Sequence, residues 1–252
     1  HWHNNIVIIL ITGILGLAIG SFLNVIIYRL PLGKSIIKPG SHCPDCKVPI
    51  PLYRNIPIIS FIFQKGRCNH CNTNISLQYP LVELITSLIW IMGLIKFNHP
   101  EAFLFFWMSS ILIAISFIDY YHKIIPLGLI LITVPGLIIY NIYIGDFFKP
   151  LYGLLFGLVY LGGISFLTSI IFKKQTLGLG DLLLIMVLGA WLGLVQIGLT
   201  ILIGSTFALI GWIIISIRKG INRNHPLPFA PYLSFSGILL SLIQWNPFYH
   251  IF

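Results

Sequence analysis

Apolar runs long enough to cross a bilayer alternate with short polar breaks along most of the chain, and one break near the start is much longer than the rest. The first run, Ile6 to Tyr28, is interrupted only by small residues and by Asn24, and Arg29 ends it. An amide is costly against lipid, so Asn24 is expected to face other helices. Further runs cover Leu81 to Ile95, Ala102 to Ile118, Ile124 to Ile144 and Leu151 to Phe172. Leu182 to Val195 and Ile197 to Ile217 predict two more spans with a tight turn near Gln196, and Leu227 to Trp245 predicts the last. A hydrocarbon core of about 30 Å takes about 20 residues per helix, which makes the run from Leu182 short for a span. Pro126 falls near the start of its run and Pro135 inside it, where a kink is expected. No repeat of the kind found in inverted-topology transporters is visible.

Composition fixes the class. Hydrophobic residues make up 57% of the 252 and charged ones 8%, with a mean hydropathy of +0.95. No water-soluble domain of this size carries such a surface, so the pattern reads as an all-α polytopic membrane protein of about eight transmembrane helices. The first run is too long for a signal-peptide core and no small-residue cleavage pattern follows it, so it reads as a retained helix. The chain begins at His1 without a Met, which suggests a trimmed N-terminus. Lys and Arg number 15 against 6 Asp and Glu. With so few charges, that excess reads as topology rather than as a nucleic-acid surface. With eight spans, Arg29, Lys34, Lys38, Lys47, Arg54, Lys65, Arg67, Lys123, Lys173, Lys174, Arg218, Lys219 and Arg223 share one side, and only Lys96 and Lys149 lie on the other. That split puts the long polar break in the cytoplasm and both termini outside.

The break itself, residues 29–80, holds prolines at 31, 39, 44, 49, 51, 57 and 80 and all four cysteines. It is expected to be a small cytoplasmic zinc-ribbon-like domain between the first and second spans. Cys43-Pro44-Asp45-Cys46 and Cys68-Asn69-His70-Cys71 are two C-x-x-C knuckles, and four thiolates at that spacing can close a tetrahedral zinc site. A reducing cytoplasm disfavours the disulfide alternative. A site closed by Cys43, Cys46, Cys68 and Cys71 has no open position, so its expected role is structural. His42 and His70 adjoin the ligands and read as loop residues.

Two aspartates stand where apolar runs end or begin. Asp181 closes Gly178-Leu179-Gly180-Asp181, and two glycines in three positions weaken a helix by roughly 1 kcal/mol each, so the stretch reads as an opened helix entrance. Asp119 follows the run ending at Ile118, ahead of a loop reaching Lys123. Alone, each reads equally as a helix cap. Together, with an even number of spans between them, they fall on one membrane face, where an ionisable group usually meets a water-filled cavity or a partner. Peptide hydrolysis by paired carboxyls needs one ionised group to take a proton from water and one neutral group to give a proton to the carbonyl, and close like charges hold one proton between them. Asp45, Glu101 and Asp146 lie in loops, and Glu83 merely starts the second span.

Several stretches carry a family resemblance: Gly20-Ser21-Phe22-Leu23-Asn24-Val25-Ile26-Ile27-Tyr28-Arg29-Leu30-Pro31, the two knuckles, Asn55-Ile56-Pro57-Ile58, Gly66-Arg67-Cys68, Tyr79-Pro80-Leu81-Val82-Glu83-Leu84, Phe117-Ile118-Asp119 and Gly178-Leu179-Gly180-Asp181. The chain resembles bacterial type IV prepilin peptidases, the leader peptidase/N-methyltransferases of the GxGD class of membrane aspartic proteases. The resemblance implies a first transmembrane helix over 1–28, the zinc-binding domain over 29–80 and a transmembrane aspartic peptidase domain over 81–252, in the bacterial inner membrane. It implies cleavage of the basic leader of prepilins and pseudopilins on the cytoplasmic side, with Asp119 and Asp181 as the catalytic pair. It also implies methylation of the new N-terminus with S-adenosylmethionine as donor, although no residues that bind the donor are identifiable in the sequence. The chain departs from the family at Leu127, usually an acid, at Leu183, usually a lysine, and at Ala230, usually a glycine. Leu183 removes a positive charge beside Asp181.

Two readings from other classes stand beside this one. Asp119 and Asp181 can bind cations or relay protons in a transporter, or the chain can be a membrane scaffold whose zinc ribbon recruits a partner. A transporter is expected to put its acids near the bilayer midplane on broken helices, whereas these lie at helix ends.

Overall fold

The computed structural model describes residues 6–173, 177–219 and 227–243. His1, Lys174, Arg223 and Trp245 lie outside the described residues. Among the described residues every regular element is helical: α1 (Ile6–Arg29), α2 (Ile59–Phe63), α3 (Gln78–Lys96), α4 (His99–His122), α5 (Leu127–Ile144), α6 (Phe148–Phe172), α7 (Leu179–Leu192), α8 (Leu194–Lys219) and α9 (Ala230–Ile243). Six are long and apolar enough to cross a membrane, and α7 and α9 are shorter apolar helices. With α2 set aside as a single short turn, the apolar runs of the sequence correspond to eight helices.

The chain divides into two compact units, residues 1–114 and 115–252, with the boundary inside α4. In the first unit α1 packs along α3. Small residues on α1 allow this, because a Cβ at Gly16 would stand 2.7 Å from the Cα of Ser87 and one at Gly20 would stand 2.6 Å from the Cα of Glu83. In a membrane, where no hydrophobic force pulls helices together, such backbone approach supplies the van der Waals contact that holds them. Asn24 is buried at this seam and donates to the carbonyl of Tyr79 at 3.1 Å, so it faces a helix as expected.

A second polar anchor at the same seam is not evident from the sequence. Glu83 is buried on α3, and its Oε2 accepts from the backbone N–H of Ile58 at 2.7 Å, while the Ser21 side chain of α1 also hydrogen-bonds the carboxyl. Ile58 caps α2 with φ 59° and ψ −50°, a conformation that a β-branched residue adopts only under constraint. Such strain costs about 1–3 kcal/mol, and a hydrogen bond to a charged group contributes about 1.5–3 kcal/mol. The hydrogen bond from Ile58 to Glu83 therefore offsets part of that strain.

In the second unit α7 is surrounded, touching α5, α6, α8 and α9. Its 14 residues rise about 21 Å, less than the hydrocarbon thickness, which is tolerated because protein rather than lipid covers it.

Four boundaries differ from the sequence expectation. The turn between α7 and α8 falls at Gly193, not near Gln196, because Gly193 takes φ 83° and its N–H closes on the carbonyl of Gly189. The Gly178-Leu179-Gly180-Asp181 stretch is not an opened entrance. Gly178 is the N-cap, and Leu179, Gly180 and Asp181 form the first turn of α7. Asp119 lies inside α4, which outlasts its apolar run by Asp119 to His122 and stops where Lys123, at φ 58°, bonds back to the carbonyl of Asp119. Pro126 caps α5 rather than starting it, and the helix runs on through Pro135.

Candidate active site and metal centre

Asp119 projects from the last turn and a half of α4 and is 6% exposed. Its Oδ2 accepts from the backbone N–H of Ala230 at 3.1 Å, and the N–H of Phe229 also bonds the carboxyl. These groups open α9, whose first turn has few donors to offer. Pro228 and Pro231 carry no N–H, so Phe229 and Ala230 are the free donors of the segment Pro228–Pro231, and both turn to Asp119. The negative group also sits at the end of the helix where it complements the helix dipole. The ammonium of Lys123 is close enough to act on Asp119 electrostatically.

Asp181 is the third residue of α7, half-buried, and its carboxyl accepts from the backbone N–H of Gly178. That is the reach-back bond of a helix capping box, formed here with a glycine at the N-cap. Gly180 has a separate function. A Cβ there would stand 2.8 Å from the Cβ of Ile125, in the segment joining α4 to α5. Only glycine lets the first turn of α7 lie against that segment. The outcome is that Asp119, 62 positions away in sequence, acts electrostatically on Asp181 within one compact unit. Backbone N–H groups, which cannot swing away as side chains can, hold each of them.

The four cysteines converge in the first unit. The Sγ atoms of Cys43, Cys46, Cys68 and Cys71 all lie within 4.8 Å of one another, with Cys43 to Cys71 at 3.8 Å and Cys46 to Cys68 at 4.0 Å. Tetrahedral zinc with Zn–S bonds of about 2.3 Å needs S···S edges of about 3.8 Å, so the thiols fit the ion. Two turns of the same construction build the site. The N–H of Cys43 bonds the carbonyl of Val48 and that of Cys68 bonds Thr73, while Lys47 and Asn72 take positive φ. The Thr73 hydroxyl and backbone N–H bring the Cys71 thiol down to about 6. The backbone N–H of Val48 also favours the Cys46 thiolate, but burial and the thiols of Cys43, Cys71 and Cys68 outweigh it and push Cys46 up to about 11. Four such sulfurs cannot all ionise without a cation among them. His42 stays out of the cluster, with Nδ1 2.9 Å from the carbonyl oxygen of Gly40.

The sequence reading passed over Glu83 and the donors Phe229 and Ala230. Glu83 meets a backbone group 25 residues away, which leaves no spacing to read. The Pro-x-x-Pro turn did carry a signal, since flanking prolines mark the two N–H groups left over.

Comparison with known proteins agrees with this architecture. Residues 14–97 match the model of the bacterial peptidase A24 N-terminal domain, and residues 103–214 match that of the type IV leader peptidase family. A prepilin leader peptidase/N-methyltransferase of Neisseria gonorrhoeae is 31% identical, over 91% of this chain and 88% of its own. The chain belongs to the type IV leader peptidase family. It is an enzyme, a membrane peptidase. The prepilin leader peptidase/N-methyltransferase of Pseudomonas aeruginosa is 33% identical over 91% of this chain and 88% of its own. The type 4 prepilin-like proteins leader peptide-processing enzyme of Escherichia coli is also 33% identical, over 91% of each chain. No solved structure matches.

Proposed function

We propose that this peptidase cleaves the basic leader from type IV prepilins and type II secretion pseudopilins, with Asp119 and Asp181 as its catalytic pair, and N-methylates the new N-terminal residue. The observation that supports the proteolytic half is that the Asp119 carboxyl acts electrostatically on Asp181 and that each accepts from backbone donors. In the reaction, one ionised carboxyl takes a proton from the attacking water while its neutral partner donates to the scissile carbonyl. The donors at Phe229, Ala230 and Gly178 hold each carboxyl in place, and such pre-set geometry is where much of the rate of a two-carboxyl peptidase must come from.

The basic split supports a site on the cytoplasmic face of the bacterial inner membrane, where the leader of an uncleaved prepilin is expected. Residues 29–80 form the zinc-binding domain of this proposal, with Cys43, Cys46, Cys68 and Cys71 holding a structural ion, and residues 81–252 form the peptidase domain. A zinc there would tie two knuckles into one fold and take no part in hydrolysis. The methyltransferase half rests on the names of the relatives, and no side chain among the described residues is assigned to S-adenosylmethionine. Incubating the purified protein with a leader-bearing prepilin and labelled S-adenosylmethionine tests both halves in one tube. Shortened pilin carrying label is expected. Intact prepilin would overturn the peptidase assignment and return the ion-transport reading of the aspartates.

A further inference from the structure

The helix α2 exposes an apolar face that none of the other described residues covers. Ile59, Ile62 and Phe63, spaced to share one face, are 50%, 65% and 83% exposed, and Leu52 and Tyr53 just before them are exposed too. The opposite side is occupied, since Phe61 lies under Gly66, whose Cβ would stand 3.1 Å from the ring. The level at which this helix sits follows from its anchor. Ile58, its N-cap, is held by Glu83, which also bonds Ser21. From Ser21 to the end of α1 at Arg29 the helix rises about 12 Å, and from Gln78 to Glu83 α3 rises about 7.5 Å. The start of α2 is therefore tied beside two membrane-spanning helices, well inside their ends, rather than out in the water beyond them. Charge points the same way. Residues 52–67 contain Arg54, Lys65 and Arg67 and no acid, which suits anionic headgroups and repels a basic peptide.

We infer that α2 is an interfacial helix that buries Ile59, Ile62 and Phe63 in the acyl chains of the adjacent leaflet, with Arg54, Lys65 and Arg67 on anionic phospholipid headgroups and Glu83 as the tether that sets its depth. The backbone suits this position. The residues of α2 bond within their own turn, and the N–H of Ile58, which would be unsatisfied in lipid, is taken by Glu83.

The test uses the full chain in nanodiscs of mixed phosphatidylethanolamine and phosphatidylglycerol, with a diazirine-bearing phenylalanine analogue at position 63, at Lys38 as a loop control and at Ile14 as a lipid-facing control. After irradiation, mass spectrometry reads what each position captured. Lipid adducts are expected at 63 and 14, severalfold above Lys38, with phosphatidylglycerol captured at 63 beyond its share of the disc. Glu83→Ala is expected to lower lipid capture at 63 severalfold while capture at 14 stays, which separates loss of the tether from failure to fold. Capture at 63 of water, of a second copy of the chain, or of added prepilin in place of lipid would overturn the inference, and so would full lipid capture at 63 in the Glu83→Ala protein.

Discussion

At the scale of single residues, the site depends on where backbone groups are, and side-chain chemistry is the smaller part of the design. Gly180 illustrates this. Its missing Cβ lets α7 approach Ile125, and a methyl group there has to push against a β-branched side chain at its root, where nothing flexible can yield. Gly180→Ala should therefore displace Asp181 without unfolding the protein. Misplacement by about 1 Å costs on the order of 100-fold in rate, so prepilin cleavage should fall by that order. Gly163, whose Cβ would meet nothing within 4 Å, is the matched control, and Gly163→Ala should cleave at the normal rate. Asp181 was legible as a suspect in the sequence because an acid is rare company in apolar runs. What the glycines before it do was not legible. The contact with Ile125 is between distant segments, and of the two glycines that suggested an opened helix, Gly178 caps it and Gly180 lies in its first turn.

At the scale of elements, the helices were readable because burial in lipid demands about 20 apolar residues in a row, a signal that outlasts errors at either end. Their ends were less so. The turn expected near Gln196 falls at Gly193, where a positive φ inside an apolar run leaves no hydropathy signal, and the polar tail of α4 from Asp119 to His122 continues a helix after the apolar signal stops. The cysteine segment was readable for a different reason, since C-x-x-C spacing is itself the geometry of a knuckle. Residues 43–71 are too few to fold around a core of their own and leave most of their large apolar side chains exposed, so the ion is expected to carry their stability. Cys43→Ser or Cys68→Ser should lose the metal, measured by elemental analysis of protein purified without chelator, and should speed amide exchange across 43–71 while α3 and α4 stay protected. Wild-type protein that contains no zinc would show that the segment is held by something else.

At the scale of the whole molecule, the account needs both aspartates on the cytoplasmic face. Cysteines introduced beside Lys96 and Lys149 should react with an impermeant reagent added outside intact cells, and those beside Lys123 and Lys173 should not. Reaction from outside at Lys173 alone would put the loops of Asp119 and Asp181 on opposite faces and dissolve the pair. The sidedness was readable only as a bias, because basic residues near helix ends set orientation collectively and no one of them decides it.

The most direct test of the central claim is a double-mutant cycle on cleavage by purified protein. Asp119→Asn and Asp181→Asn preserve size and polarity while each removes one titrating group, so each alone should abolish prepilin cleavage with the fold retained. The double variant should cost little beyond either single one, as for groups that act as a unit, and the wild-type rate should follow a bell-shaped pH profile whose limbs belong to the pair. Near-normal cleavage by either single variant would contradict the two-carboxyl mechanism.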